Sequence, residues 1–168
     1  QAPIGYNPVP EMTFSLAAGL NWKGIDFSIL LQGAARSSIY LQQDIAWANF
    51  WGNYYEEHIG RWTPETAATA TYPRFTKAAT AAHPNYYKSD YWLKDSKYLR
   101  LKNIQLGYTI PRKLLKKFGV RSLRVYANAY NLFTWDNVKK VDPESSNNSN
   151  GQFYPQQKVI NFGINLNF

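Results

Sequence analysis

At 168 residues the chain is long enough for one domain, and its formal net charge at pH 7 is +8. Aromatic residues make up 17% of the chain although its mean hydropathy is only −0.47, and it contains no cysteine. These properties exclude a small disulfide-stapled fold, and no run of about 18 apolar residues is present that could form a transmembrane helix. Rings that lie half in apolar surroundings and half in water are typical of membrane interfaces and of glycan-binding sites.

The first two predicted strands alternate with a period of two. Every even position in 12–22 is apolar, whereas the odd positions are small or polar. The parity changes at Lys23, after which the odd positions are apolar or small. Such alternation is typical of strands with one apolar face. We therefore predict strands near 12–22 and 24–36, joined as a hairpin by a tight turn at Asn21–Gly24.

A long connection, residues 37–97, follows without sustained alternation. Apolar residues in Gln43–Glu57 recur near helical spacing, which predicts a helix with Asp44 as its N-cap. Residues 63–82 are rich in Ala and Thr and contain two prolines, which predicts irregular surface structure.

No combination of residues in the chain predicts catalysis. The two histidines, His58 and His83, lie at no metal-ligand spacing from a second ligand, so no metal site is predicted. Adjacent residues on a helix point in different directions, so we interpret Glu56, Glu57 and His58 as a solvated surface cluster. The sequence has no Gly-rich phosphate loop and no nucleophile elbow. We predict a protein that is not an enzyme and binds no cofactor.

Aromatic clustering in the long connection is the main functional signal. Aromatic faces can stack on sugar rings or bury an apolar partner surface. The same rings can also pack the connection against itself or form a girdle at a membrane interface, and both interpretations stay open. The candidates for contact with a substrate or a partner protein are Trp47, Trp51, Tyr54, Tyr55, Trp62, Tyr86, Tyr87, Tyr91 and Trp92.

Three further strands are predicted near 98–110, 121–135 and 158–168. Three asparagines, Asn161, Asn165 and Asn167, share the less apolar face of the last strand. Because buried amides must be hydrogen-bonded, this face argues for a wet lumen rather than a dry protein core. The connection 136–157 is polar. The acidic and amide residues of its segment 142–151 do not have the spacing of an EF-hand calcium loop.

Positive charge is concentrated near the fourth strand. No Asp or Glu occurs between Asp95 and Asp136, and that window contains Arg100, Lys102, Arg112, Lys113, Lys116, Lys117, Arg121 and Arg124. A basic stretch can bind nucleic acid, but no zinc-finger, helix-turn-helix or RRM signature accompanies it. We therefore expect no nucleic-acid binding and interpret residues 111–120 as a solvated turn with helical character, near anionic lipid head groups.

Short turns that alternate with long loops are typical of outer-membrane barrels, in which the short turns face the periplasm and the long loops face outward. We therefore predict an all-β antiparallel transmembrane barrel with extracellular loops at 37–97 and 136–157. Two alternatives stay open. One is a small closed eight-stranded barrel with a structural or adhesive role, which requires three more strands within 37–97. The other is a soluble glycan-binding β-sandwich, which requires a second sheet against the apolar face.

Several segments of the chain, in order, resemble the SusC/RagA family of TonB-linked outer-membrane proteins in its C-terminal region. Upstream they are Arg61-Trp62-Thr63-Pro64-Glu65, Tyr72-Pro73-Arg74 and Ser89-Asp90-Tyr91-Trp92-Leu93-Lys94-Asp95. The run Tyr98-Leu99-Arg100-Leu101-Lys102-Asn103-Ile104 and then Leu106-Gly107-Tyr108-Thr109-Ile110-Pro111 follow. The last are Leu123-Arg124-Val125-Tyr126, Asn131-Leu132-Phe133-Thr134, Asp142-Pro143-Glu144, Tyr154-Pro155 and the terminal Phe168.

The resemblance implies about five C-terminal strands of a large barrel, which has 22 strands in the family, in the outer membrane of Bacteroidota. Members import glycans or peptides with a SusD-like surface lipoprotein as a lid. Energy reaches them from TonB-ExbB-ExbD through an N-terminal part with a plug domain. We expect no plug domain within these 168 residues. Five strands cannot close a barrel, so we expect them to pair with the rest of the barrel and contact the lipid bilayer.

Phe168 has an expected role on the same basis. In outer-membrane proteins generally, a terminal aromatic residue helps the assembly machinery to recognise its substrate. We therefore interpret Phe168 as a barrel assembly signal, although a plain lipid-facing ring is compatible with the same position.

Overall fold

The computed structural model describes residues 4–77, 83–139, 141–145 and 154–168. Two compact units are formed, which we call the sheet unit (10–36, 97–137 and 156–168) and the loop unit (1–9, 37–96 and 138–155). In the described part of the chain, no helix has the length and apolar character needed to cross a membrane.

Seven strands lie in the described ranges: β1 (Met12–Trp22), β2 (Ile25–Ala35), β3 (Ser38–Tyr40), β4 (Leu93–Asp95), β5 (Tyr98–Thr109), β6 (Ser122–Asp136) and β7 (Val159–Asn167). The sheet unit is one antiparallel sheet with the order β1-β2-β5-β6-β7, and the loop unit contains the β3-β4 pair. The five long strands begin and end within one residue of the predicted bounds. The all-β antiparallel fold class is confirmed.

The hairpin between β1 and β2 has a two-residue turn. Trp22 pairs with Ile25, and the intervening Lys23 and Gly24 have φ angles of 47° and 89°. Positive φ at both positions is the requirement of a type I′ turn, whose twist matches that of the flanking strands. The turn is therefore centred on Lys23 and Gly24, one residue later than predicted.

The two faces of the sheet differ in chemistry. Residues that pair across the strands share a face, and one face carries Phe14, Leu16, Leu20, Trp22, Leu106, Tyr108, Val125, Phe133, Trp135, Ile160, Phe162 and Ile164, all exposed. The opposite face carries Ser15, Asn21, Asp26, Ser28, Gln32, Asn103, Gln105, Asn128, Asn161 and Asn165. A bare apolar face opposite an amide-rich face is the pattern of strands between lipid and a wet lumen.

A bulge interrupts the sheet where β5 meets β6. Leu101 pairs with Phe133 and Asn103 pairs with Tyr130, so two residues of β6 oppose the single residue Lys102. One of the two is Asn131, whose φ of 51° lies in the left-handed region that asparagine tolerates better than most residues. Its side-chain amide donates a hydrogen bond to the Gln157 carbonyl at 3.2 Å. The bulge gives a physical reason for asparagine at this position.

An ion pair crosses three strands on the amide-rich face. Arg124 of β6 donates from Nε and Nη2 to the Asp26 carboxylate of β2, at 2.9 and 2.5 Å. Gly107 of β5 lies between them, and a Cβ there would collide with both groups. The Arg124 guanidinium also lies 4.8 Å from the centroid of the Tyr126 ring. Glycine at position 107 therefore lets the two charges meet across the intervening strand.

The two alternative folds lack the elements that they require. Residues 37–77 and 83–97 contain only the three-residue strands β3 and β4, whereas a small closed barrel needs three more long strands there. In the described ranges, the apolar face of the five-stranded sheet is exposed, whereas a soluble sandwich would cover it with a second sheet.

One helix prediction is wrong and another is confirmed. Gln43–Glu57 is not a helix but contains a 3₁₀ turn at Gln43–Ile45, with Gln42 rather than Asp44 at the N-cap position. Positive φ angles at Asn49, Trp51 and Gly52 are incompatible with a continuous helix. In the sheet unit, the predicted helical turn is present as α1 (Arg112–Leu115), followed by a 3₁₀ turn at Lys116–Phe118.

Candidate functional site

The loop unit has its own core, which consists mainly of aromatic rings. Its buried members are Ile39, Leu41, Ala46, Trp47, Ala48, Tyr72, Tyr86, Trp92 and Val138. The Trp47 and Tyr86 ring centroids lie 4.8 Å apart, and Trp92 lies 5.9 Å from Tyr72. Trp92 also donates from Nε1 to the Asn85 carbonyl at 3.0 Å. The described part of this unit has no long helix and no long strand, so these ring contacts hold its segments together.

Tyr72 joins the core to the chain around Ala46. Its hydroxyl donates to the Ala46 carbonyl at 2.8 Å and accepts from the Ala48 amide at 2.8 Å. Burial of this hydroxyl raises its pKa far above the ordinary value. The neutral hydroxyl therefore satisfies two backbone groups of a segment that has no regular secondary structure.

His58 is buried, so the predicted solvated cluster of Glu56, Glu57 and His58 is wrong for the histidine. Only 2% of its surface is exposed, and its ring lies 4.5 Å from that of Tyr72. Nδ1 accepts from the Tyr55 amide at 3.0 Å, which leaves Nε2 to donate to the Ala46 carbonyl at 3.2 Å. The two hydrogen bonds and the aromatic surroundings favour burial over solvation.

Stability of the loop unit should depend on pH through His58. Burial lowers the pKa of His58 below 6.5, so the folded state binds this proton less readily than the unfolded state. Stability is therefore complete above about pH 6.5 and is lost as the pH falls toward the folded-state pKa, by at most about 1.4 kcal/mol per pH unit. Hydrogen exchange of residues 37–77 between pH 5 and 8 measures this loss. A His58→Phe variant should lack the dependence, whereas a His83→Gln variant should retain it.

The nine predicted contact residues divide into two groups in the structure. Trp47, Tyr86 and Trp92 are buried in the core of the loop unit. The remaining six, Trp51, Tyr54, Tyr55, Trp62, Tyr87 and Tyr91, are exposed. Trp51 is the most open of them, with 83% of its surface accessible. The exposed six therefore have accessible ring surface, whereas the other three are packed inside the core.

One open cleft of the loop unit combines aromatic rings with positive charge. It is lined by Arg61, Trp62, Thr63, Pro64, Arg74 and Phe75 and has a volume of about 400 Å³. The Arg61 guanidinium lies 5.1 Å from the centroid of the Phe75 ring. The cleft can offer guanidinium donors beside ring faces to a carboxylate or other acidic group.

Of the six lining residues, only Trp62 was among the predicted contact residues, and the two arginines and Phe75 were missed along with Thr63 and Pro64. The available signal was the pair of arginines that flank the motifs around Trp62 and Pro73. Their convergence depends on chain pairing, because Arg61 forms an isolated parallel bridge with Tyr72. Residues so far apart in an irregular segment have no periodicity from which that pairing could be read.

The described residues contain no group of three or more His, Asp or Glu side chains that could hold a metal ion. In the segment 142–151, considered above for calcium, only residues 142–145 are described.

Comparison with known proteins finds TonB-dependent receptors over nearly the whole chain. The chain is 29% identical over 179 residues to TonB-dependent receptor P26 of Formosa agariphila, and 27% identical over 169 residues to the TonB-dependent receptor SusC of Bacteroides thetaiotaomicron. Each alignment covers 96% of this chain. The chain spans 17% and 15% of the length of these relatives. No family model matches the chain.

Solved structures of similar fold come from a transporter complex. One is the RagAB peptide importer in its open-open state. The alignment covers 97% of this chain and 18% of the matched importer chain, with a TM-score of 0.71 and 24% identity. A second is a structure of the RagAB peptide transporter. That alignment covers 96% of this chain and 17% of the matched transporter chain, with a TM-score of 0.72 and 24% identity. These structures confirm the C-terminal barrel fold, and the receptors above confirm the resemblance to the SusC/RagA family and the outer-membrane location.

Proposed function

Because the chain resembles the C-terminal barrel strands of TonB-dependent receptors, we propose that it is part of an outer-membrane importer that takes up glycans or peptides. In this proposal TonB-ExbB-ExbD supplies energy through an N-terminal part, and a SusD-like surface lipoprotein covers the external mouth. The proposal rests on the five-stranded sheet, which has one bare apolar face and one amide-rich face. Its two outer strands, β1 and β7, each have one partner in the sheet and would pair with further barrel strands.

Purification from outer membranes tests this proposal directly. The polypeptide that carries the sequence should have a denatured mass several-fold above 19.4 kDa and should co-purify with a lipoprotein. Substrate uptake should stop when TonB is removed. A polypeptide of about 19.4 kDa without a companion would contradict the proposal.

The exposed aromatic residues of the loop unit are the proposed contacts with the substrate or the lid lipoprotein. Trp51, Tyr54 and Tyr87 each present more than half of their surface. Tyr54 is also close to the arginine-lined cleft, since its ring centroid lies 5.7 Å from that of Phe75. Aromatic faces suit sugar rings and apolar side chains, and the cleft suits an acidic group of a peptide, a glycan or the lipoprotein.

Ring removal in the intact receptor tests this surface. The triple variant Trp51→Ala, Tyr54→Ala, Tyr87→Ala should reduce lipoprotein retention or substrate uptake by about tenfold or more, because aromatic contacts dominate many interfaces. The receptor level in the membrane should not change. A matched control, Phe162→Ala, removes an exposed ring from the sheet unit and should leave both readouts intact. If the triple variant behaves like the control, these rings are not contacts.

Phe168 is the proposed assembly signal, and its ring is exposed beyond the last strand. Deletion of Phe168 should lower the amount of folded receptor in the outer membrane while synthesis continues, because the assembly machinery would lose its terminal aromatic contact. Heat-dependent gel migration measures the folded fraction. A Phe168→Tyr variant should assemble normally. A deletion variant at wild-type membrane levels would refute the role.

A further inference from the structure

The turn between β5 and β6 has two large apolar side chains that are exposed. Leu114, in α1, is 66% exposed, and Phe118, at the end of the 3₁₀ turn that follows, is 76% exposed. Between them, Leu115 is 6% exposed, and its segment packs against β6. The turn is therefore anchored to the sheet unit by one leucine while a leucine and a phenylalanine point away from it.

Positive charge surrounds these two side chains. The turn carries Arg112, Lys113, Lys116, Lys117 and Arg121. Lys23 lies in the neighbouring hairpin turn, which is close because the Thr109 amide donates to the Gly24 carbonyl at 2.7 Å.

Acidic side chains do not balance this charge. The sheet unit has three acidic residues, and Glu11 and Asp136 lie at the opposite end of its strands. The third, Asp26, is bound to Arg124. One end of the sheet unit is thus strongly basic.

The basic end borders the apolar face of the sheet. Trp22 and Tyr108 are exposed on that face at the same end, and the Lys23 Nζ lies 4.9 Å from the centroid of the Trp22 ring. Tryptophan and tyrosine at the limit of an apolar band mark the head-group level of a membrane, where lysine stems lie along apolar surface and their charges reach phosphates. Leu114 and Phe118 lie in the turn that begins just after Tyr108, at the end of β5.

We propose that residues 111–121 dock on the periplasmic leaflet of the outer membrane by binding anionic phospholipid. Leu114 and Phe118 enter the region between head groups and acyl chains, and Lys113, Lys116 and Lys117 contact lipid phosphates. Exposed apolar residues flanked by cations and without free carboxylates are complementary to such a surface. The periplasmic orientation rests on the proposed function, in which short turns face the periplasm.

Lipid binding to the complete receptor tests the proposal. The purified receptor in detergent is titrated with phosphatidylglycerol, and bound lipid is counted by native mass spectrometry. Each lysine near an anionic surface contributes a factor of about five, so the variant Lys113→Gln, Lys116→Gln, Lys117→Gln should bind at least about tenfold more weakly. A second variant, Leu114→Ser with Phe118→Ser, should also weaken binding, since it removes the apolar part of the contact.

A charge-matched control separates docking from general electrostatics. The variant Lys77→Gln, Lys88→Gln, Lys94→Gln removes the same charge from the loop unit and should retain wild-type affinity. Equal loss in both lysine variants would overturn the proposal, and so would unchanged binding in the first.

Two further readouts complete the test. Stronger binding of lipid A than of phosphatidylglycerol at this turn would also overturn the proposal, because lipid A belongs to the other leaflet. Lipoprotein co-purification is measured in parallel and should be unaffected by the two variants of the turn. Loss of the proposed function is therefore distinguishable from loss of lipid docking.

Discussion

Replacement of Trp92 by alanine is expected to destabilise the loop unit by about 3–5 kcal/mol, the usual cost of deleting a large buried aromatic side chain. Trp92 is 3% exposed, contacts the rings of Tyr72, Tyr86 and Tyr91, and donates its indole N–H to the Asn85 carbonyl. A core that consists of a few rings loses much of its contact area when one is removed. The Asn85 carbonyl would also lose its indole donor.

Limited proteolysis of the complete receptor measures this effect. If opening is fast relative to cleavage, a loss of about 3 kcal/mol raises the open population of residues 37–97 more than 100-fold. Trp51→Ala makes the same chemical change at a side chain that is 83% exposed, and it should shift stability by no more than about 0.5 kcal/mol. Equal protease resistance of Trp92→Ala and Trp51→Ala would mean that the ring cluster does not hold this unit together.

An arginine at Leu16 is expected to destabilise the barrel by about 2–4 kcal/mol, the cost measured for arginine on the lipid face near the bilayer centre. Leu16 lies near the middle of β1 and is 62% exposed on the apolar face. A guanidinium there would lie in hydrocarbon unless its stem reached a head group. The folded fraction in outer membranes and the unfolding free energy in lipid vesicles measure the loss.

The neighbouring position provides the matched control for this prediction. Ser15 belongs to the opposite face of β1, where its cross-strand partner is Gln32. Ser15→Arg introduces the same charge one residue away, and it should be tolerated because that face is predicted to be wet. If Ser15→Arg is the more disruptive substitution, the assignment of the two faces to lipid and lumen is reversed.

Residue type and period two were sufficient to predict the five long strands. The alternation in 12–22 is a local property of the chain, and a shift by one residue would move every apolar side chain to the other face. The five long strands therefore lie within one residue of their predicted bounds. Gly24 likewise indicated a hairpin, because a positive φ is needed there and glycine supplies it.

Features that join distant parts of the chain were decided by the tertiary structure alone. The Asp26–Arg124 pair meets across Gly107 because β5 lies between β2 and β6, and neither partner's sequence neighbourhood indicates that order. Leu115 becomes an anchor, and Leu114 and Phe118 become exposed, only once the turn is placed against β6.

In the long connection, composition indicated aromatic contacts but not their roles. Trp51 and Trp92 are the same residue type in the same irregular segment, yet one is exposed and the other is buried. His58 was expected to be solvated, but it lies among aromatic rings. The Tyr55 amide and the Ala46 carbonyl supply its hydrogen-bonding partners, and the helix predicted for this segment did not bring these groups to His58. Periodicity carries information about a strand because its geometry repeats, whereas an irregular segment acquires an inside and an outside only when it folds against itself.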